Sequence, residues 1–89
     1  MKERKEFECL RRDGSKALFV FVKDEGIWYW DLPKHLRDAP PGSIASLPLP
    51  DISLDKAKSL KEALDLIGQR RGQDWVGQIV VDLLKPIPQ

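Results

Sequence analysis

Alternation of apolar and polar residues dominates the first third of the chain. It runs from Phe7 to Arg12 and resumes after Asp13-Gly14 in Lys16–Lys23 (KALFVFVK), a stretch rich in β-branched and aromatic residues. Period-two patterning marks strands, and Asp-Gly between two such runs is a strong hairpin signal. Asp24-Glu25-Gly26 supplies a second tight turn into Ile27–Asp31 (IWYWD). Residues 6–31 are therefore expected to form an antiparallel β-meander.

Pro33 interrupts the pattern, because proline has no N–H to give to a ladder. Pro40, Pro41, Pro48 and Pro50 follow before Asp51. Pro33 is placed to open a single helical turn through Leu36, and Ser43–Leu47 has the composition of a short fourth strand. Otherwise residues 32–52 read as a Pro-rich connection, longer than compact domains usually carry.

The period then changes. Ala57, Leu60, Leu64 and Ile67 recur at three- and four-residue steps, which predicts a helix over Leu54–Arg71. Ser53 is its expected cap and Asp55 suits its first turn. Arg70 and Arg71 suit its last turn, and Gly72 is its expected stop. Beyond it, Trp75, Val76, Ile79, Val80, Leu83 and Leu84 fit one helical face, opposite Asp74, Gln78, Asp82 and Lys85. Val76, Ile79, Val80 and Val81 favour strands, but the polar spacing decides for a second helix, Trp75–Leu84, capped by Asp74 and ended by Pro86 and Pro88. The expected fold is α+β, one domain over residues 1–89. In it a three- or four-stranded antiparallel β-meander (6–31) is followed, after the connection 32–52, by a two-helix layer (53–85) on one face.

Composition narrows the function classes. A chain of 89 residues makes one domain. A formal net charge of +1 gives no general basic excess for nucleic acid. Cys9 is the single cysteine, so no intramolecular disulfide forms. The charged stretch Met1–Glu6 is unlike a signal peptide, and no apolar run of about 18 residues exists. A cytoplasmic location without membrane contact is the expectation. The chain contains no Asn and no Thr and is rich in charge, as heat-adapted proteins are.

Candidate chemistry is sparse. Cys9 and the single histidine, His35, are the only residues from which a thiol nucleophile and base could be built. Cys9 lies among apolar alternates, where an inert buried thiol is usual. A zinc site needs three or four ligands at workable spacing, and no phosphate-binding glycine pattern appears. Asp51, Asp55 and Asp65 are scattered over a loop and a helix surface. No cofactor, no metal and a non-catalytic role are expected.

The sheet faces carry the functional expectation. If Asp13-Gly14 is a two-residue turn, Phe7 and Cys9 share a face with Leu18, Val20 and Val22, while Glu8 and Leu10 share the other with Phe19 and Phe21. The length of the second turn decides whether Trp28 and Trp30, or Ile27 and Tyr29, join Phe19 and Phe21. Two helices cover one face only, which leaves a face built on Phe19, Phe21, Trp28 and Trp30 for the Pro-rich segment or a partner to hide. The expected function is a small protein-interaction or oligomerisation module, most simply a homodimer, with a partner that is self or foreign. The alternative is a single-stranded nucleic-acid binder that stacks bases on the same aromatics, with Arg11, Arg12 and Lys16 as phosphate contacts.

Overall fold

The computed structural model describes residues 3–32 and 45–86. It is an α+β fold in which a four-stranded antiparallel sheet precedes two helices. The strands are β1 (Glu3–Leu10), β2 (Lys16–Asp24), β3 (Ile27–Leu32) and β4 (Ala45–Leu49), side by side in sequence order. β1 and β4 are the two edges, and β4 carries Pro48, a residue sheets tolerate at edges. The fourth strand is described over Ala45–Leu49, and Ser43 of the expected Ser43–Leu47 run, like His35 and the turn expected over Pro33–Leu36, lies outside the described residues.

The two hairpins differ in loop length, and that difference decides which face is inside. Between β2 and β3, Asp24 pairs with Ile27 across the two-residue loop Glu25-Gly26. Both loop residues have positive φ, 51° and 83°, as a type I′ turn requires. Between β1 and β2 the last ladder pair is Leu10 with Lys16. The Arg11 amide then donates to the Ser15 carbonyl (2.7 Å) and the Gly14 amide to the Arg11 carbonyl (3.0 Å), which closes a three-residue loop, Arg12-Asp13-Gly14. Gly14, at φ 86°, takes the left-handed position at the end of this loop.

One additional loop residue shifts the pairing by one and turns every side chain of β1 over relative to β2. Phe7 is thus opposite Phe19, and Cys9 opposite Ala17. This corrects the expectation that Phe7 and Cys9 accompany Leu18, Val20 and Val22. Asp13 explains the longer loop: its carboxylate accepts from both the Ser15 amide (2.9 Å) and the Ser15 hydroxyl (2.6 Å), holding Ser15 back on the rising strand.

The inner face consists of Ala17, Phe19, Phe21, Trp28, Trp30, Leu32 and Leu49, all buried, with Phe7 and Cys9 half-buried at its edge. Trp30 is its centre. Its ring lies 5.3 Å from Phe21, 6.3 Å from Phe19 and 6.2 Å, edge to face, from Trp75 of the helical layer.

The helices are α1 (Leu60–Arg71) and α2 (Gln73–Leu83). α1 starts later than the periodicity of Leu54–Arg71 suggests, because the cap is Ser59 and not Ser53. The Ser59 hydroxyl accepts from the Glu62 amide (3.2 Å), and the Glu62 carboxylate accepts from the Lys58 amide (3.2 Å), close to the reciprocal pattern of a capping box. Residues 50–58 instead form turns that bury Ile52, Leu54 and Ala57. α2 opens at Gln73, before the expected Asp74 cap, since Gly72 at φ 99° ends α1 and begins α2 in a single residue. Ala63 and Ile67 of α1 and Val76, Ile79 and Leu83 of α2 complete the core.

These positions set a graded expectation. Ile67 is fully buried while Leu64 is half-buried. Ile67→Ala should cost on the order of 2–5 kcal/mol, Leu64→Ala distinctly less, and the exposed Lys61→Ala at most about 0.5 kcal/mol. Urea unfolding of the three variants measures the order. In the β2–β3 turn, Glu25→Asn should stabilise the protein by a few tenths to about 1 kcal/mol, because Asn enters positive φ more readily than Glu does; thermal unfolding reads it.

Candidate interaction surface

The register that buries the aromatics turns a second set of side chains outward. From β1 come Arg4, Glu6, Glu8 and Leu10, and from β2 Lys16, Leu18, Val20, Val22 and Asp24. β3 adds Ile27, Tyr29 and Asp31, while β4 adds Ser46 and Pro48. No described helix lies over this face: both pack on the aromatic side. Leu10 and Leu18 are 65% and 41% exposed, the largest exposures among the large apolar side chains described, followed by Val81 on α2 at 38%. Val20, Val22, Ile27 and Tyr29 are half-buried by their neighbours.

Its polar groups are ordered by the same ladder. Arg4 pairs with Glu6 two residues on, Nε to Oε1 at 2.5 Å. The Ser46 hydroxyl donates to Asp31 Oδ1 at 2.8 Å across β3 and β4. Tyr29, Val22, Asp24, Asp31 and Ser46 line a shallow depression of about 240 Å³. Tyr29 is the one aromatic ring on this face among the described residues.

The residues singled out in the sequence fall elsewhere. Phe19, Phe21, Trp28 and Trp30 are each 1% exposed or less. They form the inner face, with no surface left to a partner's side chain or a nucleic-acid base. The reason is the loop length of the first hairpin together with the two-residue second turn: these put all four on one side, and the helices cover that side. Of the basic residues, Arg11 is committed to its own hairpin, where Nη1 donates to the Lys16 carbonyl and, at 3.4 Å, to Ser15 Oγ. Arg12 and Lys16 are exposed, but the Arg12 amide donates to the Leu84 carbonyl (2.9 Å) at the end of α2. That end of a helix repels anions. Cys9 is free and half-buried on the inner face. No group of three or more His, Cys, Asp or Glu side chains suited to a metal ion occurs among the described residues.

A separate polar cluster locks the sheet to the turns before α1. Lys23 Nζ reaches Asp55 Oδ1 at 2.7 Å, and the Ser53 hydroxyl donates to Asp55 Oδ2 at 2.6 Å. Lys5 Nζ donates to the Ala57 carbonyl at 2.9 Å, and Arg71 Nη2 lies 2.9 Å from Asp51 Oδ1. The Lys23 hydrogen bond, followed by that of Ser53, pulls the Asp55 carboxyl from 3.8 down to about 2. Lys23 is raised in turn by the same bond. These pairings explain the cluster as a clasp between layers.

No protein-family model matches this chain, and comparison with curated proteins and with solved structures found no match. No described helix is long and apolar enough to cross a membrane.

The clasp yields a pH test. A carboxyl whose pKa is depressed in the folded state contributes stability that is complete above its unfolded value and is lost as pH falls through the folded value. The Asp55 contribution is therefore present above about pH 4 and disappears towards about pH 2. Asp55→Asn should be less stable than the parent chain at pH 6, and the gap should close below that window. Chemical denaturation at pH 6, 4 and 2 measures it.

Proposed function

We propose that this protein is a small, non-catalytic protein-interaction module whose docking surface is the outer face of its sheet. The observation that supports the reading is the outward apolar track of Leu10, Leu18, Val20 and Val22, continued by Tyr29, which the helical layer leaves uncovered. Apolar side chains clustered on one flat face, with charged residues at the borders, are the usual composition of a protein–protein contact. The reading keeps the sheet as the functional element but moves the contact to the face opposite Phe19, Phe21, Trp28 and Trp30. Base stacking finds no support, since those four rings are inside and Tyr29 stands between two aspartates, Asp24 and Asp31, which repel a phosphate backbone.

A photoreactive benzoylphenylalanine at Leu18 should give discrete protein adducts in extract of the native cell. The same group at Lys61 on the exposed side of α1 should give none. Adducts of equal yield from both positions, or adducts from position 18 that vanish on nuclease treatment, would refute the reading.

A further inference from the structure

Resting on that reading, we propose that the occupant of the outer sheet face is a basic amphipathic helix of a partner protein, laid along β2. Three features of the face carry this. Its centre line is apolar, because Leu18, Val20 and Val22 of β2 are adjacent outward positions. Carboxylates border it: Glu6 and Glu8 on the β1 side, Asp31 on the β3 side, and Asp24 at the end of β2 itself. Against these four carboxylates stand two cations, Arg4 and Lys16, and Arg4 is already paired with Glu6. The described part of the face is thus net −2 in a chain whose formal net charge is +1.

The spacing fits a helix. Strands lie about 4.8 Å apart, so the β1 and β3 carboxylates stand roughly 10 Å from one another across β2. That is close to the diameter of an α-helix with its side chains, about 10–12 Å. A helix centred on β2 rests its apolar stripe on Leu18, Val20 and Val22. Its flanking Lys or Arg side chains reach Glu6 and Glu8 on one side and Asp31 on the other. The depression floored by Tyr29 between Asp24 and Asp31 receives one of these cations over the ring, a geometry in which cation–π attraction and charge pairing act together.

A second copy of this chain fits less well. Glu6, Val20, Asp31 and Ser46 form one row across the sheet. With a two-fold axis through the centre of the face and parallel to the strands, Asp31 is set against Val20 of the other copy. With the axis perpendicular to the strands, Asp31 and Glu6 each meet their own copies. Both arrangements desolvate a carboxylate without a cation, which interfaces avoid.

The test uses a fluorescein-labelled peptide of about 18 residues, roughly 27 Å of helix, with Leu along one face and Lys elsewhere. A second peptide has Glu in place of every Lys. The whole chain should bind the Lys peptide and not the Glu peptide, with affinity falling as salt is raised. Glu8→Lys with Asp31→Lys should weaken binding about tenfold or more. Glu6→Lys with Glu8→Lys, confined to β1, serves the same purpose without touching the Asp31–Ser46 bond. Glu62→Lys with Asp65→Lys, the same charge change on α1, should leave binding within about threefold if attraction is local. Amide shift changes on titration should centre on Leu18–Val22 and Tyr29.

Equal weakening by the α1 pair, or equal binding of both peptides, overturns the proposal. Sedimentation separates it from the broader reading. A dimer that Leu18→Lys dissolves, in a chain that ignores the Lys peptide, keeps the interaction surface and replaces the helix with a second copy. A monomer that binds neither peptide and gives no adduct from position 18 ends both.

Discussion

The bond from the Arg11 amide to the Ser15 carbonyl sets the parity of the whole sheet. Once those residues pair, Phe7 and Cys9 must lie on the side of Ala17 and Phe19, and the type I′ turn at Glu25-Gly26 carries that side on to Trp28 and Trp30. Every Phe and Trp of the strands then stands on one face, with Tyr29 alone turned outward, and a single helical layer suffices to bury them. Trp30 is the point where the two layers meet, with Phe19 and Phe21 beside it and Trp75 above. The same parity leaves the outer face with Tyr29, aliphatic residues of moderate size and a border of carboxylates, and so it determines the surface that neither described helix covers.

The inner layer is not fully satisfied in polar terms. Trp30 buries an indole N–H that has no hydrogen-bond partner among the described residues, and an orphaned donor costs about 1–3 kcal/mol. Large aromatic area offsets this: a buried ring contributes roughly 1.5–3 kcal/mol, and the edge-to-face contact of Trp30 with Trp75 adds to it. The clasp of Lys23, Asp55 and Ser53 supports the same junction from outside.

Much of this was legible in the sequence. The strands, both hairpin positions, the helical character of residues 75–84 and the stop at Gly72 all follow from periodicity and turn chemistry. The choice of face did not, because it hung on one loop residue. Asp-Gly is compatible with a two-residue and with a three-residue loop, and only the hold of the Asp13 carboxylate on Ser15 favours the longer one. Phe19 and Phe21, with Trp28 and Trp30 joining them if the second turn has the right length, are expected on an exposed face from the sequence, whereas the register buries all four. The late start of α1 was readable: Ser59-Leu60-Lys61-Glu62 has the spacing of a capping box, a signal that the apolar run beginning at Leu54 obscures. The outer track of Leu18, Val20 and Val22 was visible as a strand face, yet its acidic borders emerge only when β1 and β3 are laid in register beside it.

The bond between the Arg12 amide and the Leu84 carbonyl joins the first hairpin loop to the last turn of the chain's final described helix. Few contacts in a protein of this size span so much sequence, and contacts of that kind form slowly because a long loop must close first. During synthesis the meander emerges long before α2, with its aromatic face still uncovered. The hairpins can pair early, but the loop of the first one finds its anchor only after the residues around Leu84 have left the ribosome. Until α2 is in place the aromatic face lacks part of its helical cover, and exposed apolar surface of that kind is what makes folding intermediates prone to aggregate.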